Sequence, residues 1–70
     1  MDVSNAVRLI QEAAERTNAC DLQIAATYAE GMLNMSGNCL NTQALYVLGN
    51  LQYWRGETAK EVKAFLRTLK

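Results

Sequence analysis

No proline interrupts the 70 residues, and alanine, leucine, glutamate, glutamine, lysine and arginine dominate over β-branched side chains. Proline is the strongest helix breaker and β-branched residues favour strands, so this chain is free to be helical along its length. The expectation is an all-α fold of four short helices, paired as two helical hairpins in a compact orthogonal or repeat-like bundle. Seventy residues make one domain at most, close to the size at which a single core only just offsets the entropy of folding. Ten alanines and five aromatic residues give a modest apolar volume suited to close helix contact. A partner surface would help such a chain to stay folded.

Val3, Val7, Ile10 and Ala14 recur at helical spacing and predict a first helix from about Val3 to Thr17, capped by Asp2 or Ser4. Glu12 and Arg16 stand in the favourable i,i+4 order on its polar face. A second helix is expected from Leu22 to about Asn34 with Asp21 as its cap. Its polar line is thin, which predicts a central position covered on most sides. Met35 to Asn41 is rich in turn residues and reads as a loop. A third helix, capped by Asn41 or Thr42, is expected to reach Arg55, where Gly56 stops it. Thr58 and Glu61 have capping-box spacing and predict the start of a fourth helix that runs to Leu69.

Formal net charge is zero and histidine is absent. The commonest general base and metal ligand are therefore missing, and the seven acids are scattered over faces expected to meet solvent. This reading assigns no catalytic residue, no metal site and no cofactor. Cys20 and Cys39 fall at opposite ends of the second helix, ~20 Å apart at the helical rise, beyond disulfide reach; each reads as a half-buried free thiol of a reducing compartment. Met32, Met35 and Cys39 are soft donors close in sequence, but methionines on an apolar helix more often fill core gaps. No basic and apolar leader pattern opens the chain, and residues 31–54, though free of Asp, Glu, Lys and Arg, are too rich in Asn, Gln and Thr for lipid. The expectation is a cytoplasmic protein with no membrane partner.

Charge is divided along the chain. Residues 55–70 hold five basic and two acidic side chains, and residues 1–54 hold two basic and five acidic ones. Lys60, Lys63, Arg67 and Lys70 follow one line of the fourth helix. Such a basic stripe either complements the helix dipole in solvent or meets an anionic partner, nucleic acid included.

On the third helix, Ala44, Leu45 and Leu48 take one side, while Gln43, Tyr46, Asn50, Tyr53 and Trp54 take the other. That second group joins large rings to amides, the mixture of a partner-binding surface, although packing against the second helix would use the same residues. The functional expectation is a non-catalytic protein-protein interaction module (adaptor, small chaperone or inhibitor) that associates as a homodimer or with a heterologous partner. A nucleic-acid-associated regulator that uses the basic stripe is the alternative.

Residues Ala44 to Asn50, Tyr53, Arg55 to Glu57, Phe65 and Leu69 resemble one tetratricopeptide repeat, a helix-turn-helix unit that stacks into scaffolds for binding proteins and peptides. The resemblance covers residues 42–69. It implies that Gly49 is small so that paired helices can approach, that Gly56 makes the tight turn, and that Gln43, Tyr46, Asn50, Tyr53 and Trp54 face a ligand. Gln52, Glu61 and Thr68 depart from the family pattern.

Overall fold

A computed structural model of the chain describes residues 1–69 and holds four α-helices: α1 Val3–Glu15, α2 Cys20–Gly31, α3 Gly37–Gly49 and α4 Glu57–Arg67. A 3-10 turn, Met32–Asn34, continues α2. The fold is all-α. The start of α1 is fixed by Asp2, whose carboxylate accepts the Asn5 N–H at 2.8 Å. Ala6, Val7, Ile10 and Ala14 form its buried stripe. At its end the Gln23 amide of α2 donates to the carbonyls of Ala14 and Thr17, so a side chain from the next helix satisfies groups that the helix terminus leaves open.

The helix boundaries differ from expectation in three places. First, α2 begins at Cys20, and Asp21 lies in its first turn, where its charge complements the dipole without capping. Second, α3 begins at Gly37, earlier than Thr42, and ends at Gly49, well before Arg55. Leu40 packs against the core in register with Ala44 and Val47, and that burial draws the Gly37–Asn41 segment into the helix. Beyond Gly49 the chain must turn to bury Leu51 completely, and it does so by i to i+3 bonds from the N–H groups of Asn50, Leu51 and Trp54. Third, Gly56 flanks α4 at φ 118°, a left-handed value that favours glycine, and no side chain caps the helix. Thr58 and Glu61 lie inside α4 and form no capping box.

α1 packs on α2 and α4, and α3 packs on the same two helices, so the four make a closed ring. Met32, in the 3-10 turn, is buried beneath α1, α2 and α3. Four fully buried alanines, Ala6, Ala25, Ala29 and Ala44, let the helices come close, and no polar side chain is buried among the described residues. Apart from alanine, the core consists of Val7, Ile10, Leu22, Met32, Val47, Leu51, Val62 and Leu66. α2 is not central: it meets α1 and α3 but lies across the ring from α4. Small side chains face its neighbours, which leaves Ile24 and Tyr28 outside.

Close approach is needed at Gly31, where a Cβ would sit 3.3 Å from Nε2 of Gln43, and not at Gly49, where a Cβ would meet nothing within 4 Å. The close contact implied for Gly49 is therefore not made. The ion pair among the described residues joins Arg8 to Glu12 at 3.2 Å, in place of Glu12 with Arg16. Among the described residues no helix is long and apolar enough to cross a membrane.

Candidate interaction surface

Residues four apart lie on one line of a helix, and Ile24 and Tyr28 share such a line on α2 with Gly31 close by. On α3 the corresponding line is Gln43, Tyr46 and Asn50. The two lines meet along the α2–α3 seam. The Gln43 amide donates to the Tyr28 carbonyl at 2.9 Å, and the rings of Tyr28 and Tyr46 stack with centroids 5.9 Å apart and planes inclined by 24°. The Asn50 amide donates to the Tyr46 carbonyl one turn back. These bonds engage the amide N–H groups of Gln43 and Asn50, beside which the two tyrosine rings and Ile24 are exposed.

Several large side chains on that surface are exposed. Ile24 is 44%, Tyr28 42% and Tyr46 58% exposed. From Gly31 to Trp54 there is no formal charge. Contiguous apolar surface is a feature that interaction sites share.

The five residues expected on one face of α3 divide between two regions. Gln43, Tyr46 and Asn50 are on the helix, whereas Tyr53 and Trp54 lie past its end, in the connection to α4. Tyr53 projects into solvent and Trp54 is half-buried against the core. With Asn50 they line a cleft of about 540 Å³ whose other walls include Leu9 and Ala13 of α1 and Leu22 of α2. Arg16 and Arg55 also border it, as do Glu12, Asp21 and Glu57, so the cleft has mixed charge. The seam opens into this cleft through Asn50 at its end. Sequence periodicity missed Ile24 and Tyr28 because α2 was read as covered; the signal available was two large side chains among alanines at i,i+4 spacing.

The basic stripe is not a single free surface. Lys60 and Arg67 are exposed, but the Lys63 ammonium is half-buried and donates to the Trp54 carbonyl at 2.6 Å. Lys70 lies outside the described residues. The stripe was read from spacing, and spacing does not reveal that the connection to α4 folds back over Lys63. Cys20 and Cys39 are free and exposed, not half-buried, each in the first turn of its helix. Met32 is core and Met35 half-buried, while Cys39 faces solvent, which separates the three soft donors by environment. Among the described residues no cluster of three Cys, Asp or Glu side chains is placed to hold a metal ion.

No family model, curated protein or solved structure matches the chain.

Proposed function

We propose that this chain is a non-catalytic protein-protein interaction module of the adaptor, small-chaperone or inhibitor kind, and that its contact surface is the α2–α3 seam. The observation that supports it most is the exposure of Ile24, Tyr28 and Tyr46 on two adjacent helices that the Gln43–Tyr28 hydrogen bond ties together. Leaving such side chains in water forgoes the burial of Tyr and Ile, about 1.5–3 kcal/mol for a fully buried large apolar residue. A partner recovers that term. Aromatic residues held by their own helices also lose little conformational freedom on binding, which suits them as anchors.

Replacing Tyr46 with arginine tests the reading. The side chain is mostly outside the core, so helical content and the thermal midpoint should change little, while proteins captured from the native host by the wild-type chain should be lost. Identical captured sets, or collapse of the fold, would refute the seam as a contact surface. A nucleic-acid partner at Lys60 and Arg67 makes a separate expectation: its binding should weaken steeply with added salt, whereas binding at the uncharged seam should not.

A further inference from the structure

We propose that Tyr28 and Tyr46 are a site of oxidative modification, at which a one-electron oxidant joins the two rings into a dityrosine cross-link that staples α2 to α3. Two observations carry it. The rings stack with centroids 5.9 Å apart and planes inclined by 24°, and both are open to solvent, Tyr28 at 42% and Tyr46 at 58%. Coupling needs a second phenol within reach before the first radical decays, and groups already held side by side react without having to meet by diffusion. The Gln43 amide, bonded to the Tyr28 carbonyl, keeps the two helices in register beneath the rings. Tyr53 provides the contrast. At 73% it is more exposed than either, yet among the described residues no ring stacks on it, so it has no partner held in place.

In the first step each phenol gives one electron to the oxidant and its hydroxyl proton to water, which leaves a phenoxyl radical with spin on the ring carbons ortho to oxygen. A bond then forms between an ortho carbon of Tyr28 and one of Tyr46. Each of these carbons gives up its hydrogen as a proton and each oxygen takes one back, so both rings regain aromaticity. The pair has lost two electrons and two protons, and hydrogen peroxide, acting through a haem peroxidase, takes them up as it becomes two molecules of water. The joined rings lie edge to edge, a geometry reached from the stack by rotation of two side chains that are open to solvent. The product closes the chain around the 32–36 connection and so restricts the unfolded state. Cys20 and Cys39, free and exposed, are the competing reductants.

The test treats the purified chain, its thiols alkylated so that they do not consume oxidant, with hydrogen peroxide and a haem peroxidase. The expected product is a cross-linked monomer with dityrosine fluorescence, lighter by two hydrogen atoms, whose fractional rate of formation does not depend on protein concentration. Cleavage after Glu30 cuts the chain between the two rings, so mass spectrometry should find the fragments bearing Tyr28 and Tyr46 still joined. Tyr28→Phe and Tyr46→Phe, which keep a ring and remove the phenol, should each abolish that product with helical circular dichroism unchanged, whereas Tyr53→Phe should leave its yield intact. The cross-linked monomer should also melt at a higher temperature than the untreated chain. Absence of dityrosine, dityrosine formed only between chains, or an internal cross-link that survives either single change at the pair would overturn Tyr28 and Tyr46 as the site. A melting temperature that does not rise would overturn the staple.

Discussion

At Lys63 a charged side chain is engaged by the backbone. Its ammonium donates to the Trp54 carbonyl at 2.6 Å from nearly two turns into α4, and this ties the 50–56 connection to the helix that follows. A charged donor in a half-buried setting makes a stronger bond than a neutral one, and removing it leaves the carbonyl partly desolvated and unpaired. Lys63→Met keeps the length and apolar stem of the side chain and deletes the donor. It should lower stability by about 1–2 kcal/mol, read as a lower urea midpoint with an unchanged slope. An unaltered midpoint would mean that water replaces the ammonium at no cost. Tyr53, the residue just before Trp54, is 73% exposed, so the tether places a ring at the mouth of the cleft without burying it.

At the level of elements, the start of α4 separates a sequence pattern from the interaction that it usually signals. Thr58 and Glu61 have the spacing of a capping box, yet Gly56 flanks the helix and Glu57 begins it, so Thr58 caps nothing. Thr58→Ala should therefore be neutral or slightly stabilising, because alanine is the better helix former inside a first turn. A loss of about 1 kcal/mol in a thermal melt would instead restore the box. The same contrast runs through the other helices. α1 was legible because its apolar stripe is strict and Asp2 precedes it; α4 was legible in its Ala59, Val62 and Leu66 stripe. α3 was misplaced at both ends because Gly37, Asn38 and Asn41 look like turn residues, while the tertiary burial of Leu40 and Leu51 decides where the helix starts and where it stops. The candidate surface was half legible for the same reason: Gln43, Tyr46 and Asn50 follow from helical periodicity, but Ile24 and Tyr28 depend on which neighbours α2 has, and that is set by the whole ring.

Across the whole molecule, the ring is made from three contacts between consecutive helices and one between α1 and α4. The consecutive contacts close short loops, and the entropy they cost is small. Bringing α1 to α4 joins the two helices farthest apart in the chain. Helical domains dominated by local contacts fold in roughly microseconds to milliseconds, and this chain should fall in that range with a single exponential phase. The closing of the first helix on the last is then the step that most restricts the chain, and the barrier is expected there. Stopped-flow or temperature-jump relaxation should find that a flexible glycine-serine insertion between residues 34 and 37 slows folding while barely changing the rate of unfolding. An insertion that speeds unfolding without slowing folding would put the α1–α4 contact after the barrier. On this expectation the closed ring has a kinetic character as well as a shape: most of it assembles locally, and one long-range closure sets the tempo.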